Sequence, residues 1–117
     1  MLKILLLDVY PNKNYRISKD QNGGYGTAND YGDNFFLKLL SLYIKKTIDY
    51  PPIFAAHAIA ELKKNNFDID YSRKLDQKIE YDLYIIPSSI VCYESERNII
   101  KKLHYEKKNI FAIGPFA

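Results

Sequence analysis

The stretch Gly23-Gly24-Tyr25-Gly26-Thr27 is the most conspicuous chemical signal in this chain. Glycines let backbone N–H groups close on an anion, which makes the stretch a candidate phosphate cradle. Its spacing fits neither familiar phosphate loop. A Walker loop needs Gly-Lys-Ser/Thr opening a helix, and the dinucleotide fingerprint follows directly on the first strand, whereas this stretch lies about a dozen residues further on. Either a ligand contact or a plain ordered loop remains open for it. Ser88 and Ser89 have no nearby histidine to activate them, so they read as hydrogen-bonding groups, not nucleophiles. His57 and His104, each within a helical stretch, read as structural. Cys92 is the single cysteine and reads as a buried, inert thiol; alone it cannot supply a zinc or iron–sulfur site. Nothing here is expected to be catalytic or to ligate a metal. A phosphoryl-accepting receiver domain is not expected either, since Pro87-Ser88 stands where its aspartate would end the third strand.

Those groups sit in a chain of 117 residues, 47% hydrophobic and 26% charged, the profile of one globular domain with one core. No segment approaches the roughly 20 apolar residues of a membrane span, and the apolar run at Ile4–Leu7 runs straight into Asp8 without a cleavage signal, so a cytoplasmic setting is expected, with no membrane partner. The net charge of +3 is dispersed along the chain, without the like-charge block of a nucleic-acid arm, so no nucleic-acid partner is expected.

The elements that must position these groups follow from the apolar pattern. Leu2 to Val9 is an almost unbroken apolar run, as in a strand covered on both faces of a parallel sheet. Pro11 to Gly32 carries too many breakers for anything but a long loop. Asp33 is placed to cap a helix whose Phe36, Leu37, Leu40, Tyr43 and Ile44 would pack on the domain. Tyr50-Pro51-Pro52 starts a second helix with an apolar face of Ile53, Ala56, Ile59, Ala60 and Leu62. Strands follow at 68–71 and 82–87, joined by a connection with room for only a helical turn. A helix over 94–107, carrying Ile99, Ile100 and Leu103, leads to a fourth strand at Ile110–Ile113. Alternating strands and helices give an α/β fold, a doubly wound, Rossmann-like or flavodoxin-like parallel sheet in the order 2-1-3-4. Ligands of such sheets sit beyond the carboxyl ends of the strands at the switch between strands one and three. That rim holds Asp8 to Asn12, Ser88 to Ile90 and Gly114 to Phe116.

Four segments taken in order, Ile4 to Tyr10, Tyr50-Pro51-Pro52-Ile53-Phe54-Ala55-Ala56, Tyr81 to Ile86 and Ile113-Gly114-Pro115-Phe116-Ala117, resemble the N-terminal cobalamin-binding domain of cobalamin-dependent radical S-adenosylmethionine enzymes. The resemblance spans nearly the whole chain. Cobalamin domains of the methionine synthase type look like Asp-x-His-x-x-Gly after strand one, Ser-x-Leu after strand three and Gly-Gly about 26 residues later. Ser88-Ser89-Ile90 stands at the second motif and Gly114-Pro115, 26 residues on, at the third. In the first motif Asp8 is kept, Tyr10 replaces the histidine and Lys13 replaces the glycine.

The resemblance implies cobalamin as cofactor, held by Asp8, Tyr10, Ser88, Ser89, Ile90, Gly114 and Pro115, without a histidine below the cobalt. It also implies that residues 1–117 are an N-terminal fragment that lacks a fifth strand and presents the corrinoid to a C-terminal radical domain. The iron–sulfur cluster and S-adenosylmethionine would belong to that domain, a methyltransferase-type enzyme, and this fragment alone would be no enzyme. The apolar fourth strand would then be an open edge through which the chain self-associates. A nucleotide or nucleotide-sugar-binding half-domain, or a non-catalytic interaction module, stays open beside this reading.

Overall fold

A computed structural model describes residues 1–11, 17–20, 27–28, 31–47, 52–115 and 117. Four strands, β1 (Lys3–Leu7), β4 (Asp68–Ser72), β5 (Leu83–Pro87) and β6 (Ile110–Ile113), form one parallel sheet in the order β4-β1-β5-β6. This is the doubly wound order 2-1-3-4 read from the sequence.

The apolar run of β1 has a direct cause. Side chains alternate faces along a strand, and both faces of β1 are covered: Ile4 and Leu6 pack with Ala55, Ile69 and Ile85, while Leu5, Leu7 and Val9 pack with Tyr84, Ile86 and Leu103. Helix α2 (Ile53–Lys64) covers the first face through Ala55, Ala58, Ile59 and Leu62. Helix α3 (Tyr93–Tyr105) covers the second through Ile99, Ile100 and Leu103.

Several local expectations need correction. The connection after β1 is not wholly loop, since β2 (Ile17–Ser18) and β3 (Thr27–Ala28) form a short antiparallel pair; Gly23, Gly24 and Gly26 lie outside the described residues. Helix α1 (Phe35–Thr47) is capped by Asn34, whose Oδ1 accepts from Phe36 N–H at 3.0 Å, whereas the Asp33 side chain is fully exposed and forms a long ion pair with Lys38 at 4.0 Å. Nor does α1 pack its apolar residues on the domain: Phe35 and Phe36 are 71% and 75% exposed, and Leu37 and Leu40 are exposed as well. The two sheet faces are already occupied by α2 and α3. Among the described side chains of α1 the buried one is Ser41, which accepts from Tyr31 N–H and donates to Leu37 C=O. In α2 the face is turned, with Ile53, Ala56 and Ala60 outward, because the small Ala55 and Ala58 allow closer approach to the sheet. The β4–β5 connection holds no helical turn; Asp76 Oδ1 accepts from Lys78 N–H at 2.9 Å and closes a tight turn instead.

Strand β6 pairs only with β5 among the described residues. Tyr84 N–H donates to Asn109 and Ser88 N–H to Ile113. The N–H and C=O of Ile110 and Ala112 therefore point to the open edge, beside an exposed Phe111. Such an edge is a template for another strand. Sedimentation over a range of concentrations is expected to show self-association that Ala112→Pro suppresses. A concentration-independent monomer would mean that the edge is protected.

Candidate functional site

The carboxyl ends of β1 and β5 meet at a buried charge cluster. Asp8, directly after β1, is 2% exposed, and Glu96, in the first turn of α3, is equally buried. Lys19, in the segment after β2, reaches between them. Its Nζ is 3.0 Å from Asp8 Oδ1 and 3.0 Å from Glu96 Oε1, and it donates at 3.4 Å to Pro87 C=O. Glu96 also accepts from Ser89 N–H at 3.0 Å and Ser89 Oγ at 3.3 Å, and Asp8 Oδ2 accepts from Tyr71 OH at 2.9 Å. Buried ions persist when their remaining hydrogen-bonding capacity is satisfied in this way.

Next to the cluster the Tyr10 ring contacts two cations, with Lys19 Nζ 4.9 Å and Arg73 Cζ 4.8 Å from its centroid. Burial, reinforced by the charge of Asp8, pushes the Tyr10 phenol far above its ordinary range. Burial likewise pushes Tyr71 up to about 12, although Arg73 Nε donates to its oxygen at 3.1 Å. Both tyrosines are neutral phenols at physiological pH. Cys92 closes the short 3-10 helix Ile90–Cys92, is buried, and has its thiol pushed up by desolvation, which leaves little thiolate.

On the α2 side of the same rim is a pocket of about 300 Å³. Phe54, Pro87, Ile113 and Pro115 give it apolar walls, and Lys19, Asp20, Ser88 and Gly114 complete it. Ser88 Oγ is buried and has no hydrogen-bond partner among the described residues. An unsatisfied buried hydroxyl costs about 1–3 kcal/mol, so its retention marks a place where a ligand atom can complete it. Gly114 has φ +117°, and a Cβ there would lie 2.7 Å from Ser88 O and 3.3 Å from Ser88 Oγ. This glycine lets the end of β6 pass close to Ser88, and thereby shapes the pocket wall.

Of the residues expected at the site, Ser88, Gly114 and Pro115 come together in this pocket. Asp8 and Ser89 belong to the charge cluster beneath it, and Tyr10 to the aromatic–cation stack. Ile90 is half exposed and does not line the pocket. Asn12 and Phe116 lie outside the described residues. Neither histidine lines the pocket; both are exposed on helices.

Sequence reasoning missed Lys19, Asp20, Phe54 and Glu96. For Glu96 a signal existed: it stands at i−3, i−4 and i−7 from Ile99, Ile100 and Leu103, a carboxylate in the apolar stripe of α3. Lys19 and Asp20 sit in a polar loop with no periodic pattern, and only the fold brings them to the rim.

A larger hollow of about 460 Å³ lies at the opposite end of the sheet, between the β4–β5 connection and α3, with Asp76, Glu80, Glu106 and Lys108 around Tyr84 and Leu103. It is away from the strand carboxyl ends, and Lys108 is already paired with Glu80 at 2.8 Å. Among the described residues no group of three His, Cys, Asp or Glu side chains is arranged to hold a metal ion, and no helix is long and apolar enough to cross a membrane. The chain matches no protein-family model, no curated protein and no solved structure.

Proposed function

We propose that this domain binds a corrinoid, taking the heterocyclic base of cobalamin's nucleotide tail, but not the tail's phosphate, into the strand-end pocket and presenting the ring to a separate catalytic domain, the radical S-adenosylmethionine domain that the sequence resemblance implies. The observation that carries the reading is the orphaned Ser88 hydroxyl in a mostly apolar pocket of about 300 Å³. That volume is at the small end of the roughly 300–1,000 Å³ typical of ligand sites. It suits one heterocyclic base and is too small for a corrin, which would lie outside over the rim.

The residues present fit the group. Ser88 Oγ would bond the tail base, Phe54, Pro87, Ile113 and Pro115 would exclude water from its ring, and Gly114 would leave room for it against the backbone. The cofactor would supply methyl-transfer or radical chemistry at cobalt, and this chain would bind and orient it. With both histidines off the pocket and Tyr10 held as a neutral phenol, the described residues offer no imidazole or phenolate there.

Absorbance titration with cobalamin tests the reading, with nucleotides and nucleotide sugars as competitors. Saturable binding without an imidazole-to-cobalt signature is expected. Nucleotide binding in its place would support the half-domain alternative, and no binding of either would point to an interaction module.

The hydroxyl should also reveal itself in the free protein. Ser88→Ala removes an unsatisfied buried group, so its melting temperature is expected to stay the same or rise by a few degrees, while cobalamin binding weakens by about five- to tenfold through the lost hydrogen bond. A stability loss with unchanged affinity would make Ser88 a structural residue.

A further inference from the structure

The pocket wall contains an anion seat that the chain fills itself. Helix α2 begins beside the pocket, and its first N–H groups carry the partial positive charge that attracts phosphate in many nucleotide sites. Here Ile53 N–H donates to Asp20 Oδ2 at 2.9 Å and Phe54 N–H to Asp20 Oδ1 at 3.0 Å. This is no local cap: Asp20 lies more than thirty residues upstream, and the N-cap residue Pro52 offers no side-chain bond. Lys19, the cation in the pocket lining, is already engaged by Asp8, Glu96 and Pro87 C=O. Two carboxylates and a carbonyl therefore hold this ammonium, and Asp20 brings a further carboxylate to the same pocket. Independently, the buried and unpartnered Ser88 Oγ on the same pocket wall calls for a polar ligand atom.

We propose that Asp20 is a specificity residue whose carboxylate stands in for a ligand anion at α2, so that the pocket accepts an uncharged ring with one hydrogen-bonding atom for Ser88 and refuses a phosphate. The inference rests on this pocket being the ligand site, whatever the ligand that fills it. It goes beyond the corrinoid reading by stating which chemical class the pocket excludes and through which residue.

Amide NMR on the wild-type chain and on Asp20→Ala, titrated with inorganic phosphate and, in parallel, with adenosine and adenosine monophosphate, tests it. In the wild type the Ile53 and Phe54 amides should not respond to phosphate. In Asp20→Ala they should, with phosphate affinity raised roughly tenfold, the scale of an anion at a helix N-terminus, and the monophosphate should then be favoured over adenosine. Should Asp20→Ala fail to fold, Asp20→Asn, which keeps an acceptor oxygen but drops the charge, should gain phosphate affinity in the same direction. Phosphate-induced shifts at Ile53 and Phe54 in the wild type, or no gain in either folded variant, would overturn the proposal. Failure of cobalamin to bind would leave it standing, and preference of the wild type for the monophosphate would defeat it without touching the corrinoid reading.

Discussion

Lys19→Met is expected to destabilise the fold by about 3–5 kcal/mol, the usual cost of stranding a buried charge. The substitution keeps the length and apolar stem of the side chain but leaves the carboxylates of Asp8 and Glu96, both 2% exposed, facing each other without their ammonium. Against a total of about 5–15 kcal/mol for a domain, that is enough to bring melting close to ambient temperature. Denaturant titration reads the loss. The partner substitution Glu96→Gln in the same chain should recover part of it, because one carboxylate then remains with Tyr71 OH as donor. A Lys19→Met protein as stable as the wild type would mean that the cluster is not closed to water.

Gly114→Val should lower stability by about 2–6 kcal/mol, adding roughly 1–3 for backbone strain to roughly 1–3 for overpacking. At φ +117° a β-branched residue is strained, and its Cβ would overlap the Ser88 carbonyl oxygen at 2.7 Å. The damage falls on the β5–β6 junction itself. Loss of cobalamin binding in this variant would therefore say little about a tail pocket, and Ser88→Ala is the sharper probe. A Gly114→Val protein that melts with the wild type would show that the strand end moves aside freely.

The central strands β1 and β5 were legible because each is a short apolar run whose faces are both covered, whereas the edge strands β4 and β6, of which only Ile69 is buried, followed from the alternation of strands and helices with right-handed crossovers. Helix α1 was misplaced for a related reason. Its repeat of Phe36, Leu37, Leu40 and Tyr43 has the period of a packed helix, but periodicity says nothing of whether a sheet face is left to receive it, and α2 and α3 have taken both. Ser88 and Gly114 were placed at the rim because strand ends can be counted from the apolar runs, and both line the pocket there. Lys19 and Asp20 were not, since their roles arise from contacts with Asp8, Glu96 and the start of α2, the last of these more than thirty residues away in sequence.

The central claim is that a corrinoid tail enters the pocket at the carboxyl ends of β5 and β6. Amide shift mapping of the protein with added cobalamin tests it most directly. The account predicts saturable shifts centred on Phe54, Ser88 and Gly114, with the amides around Gln77, Glu80 and Glu106 at the far end of the sheet unmoved. Shifts centred on that far hollow, or none at saturating cobalamin, would contradict it.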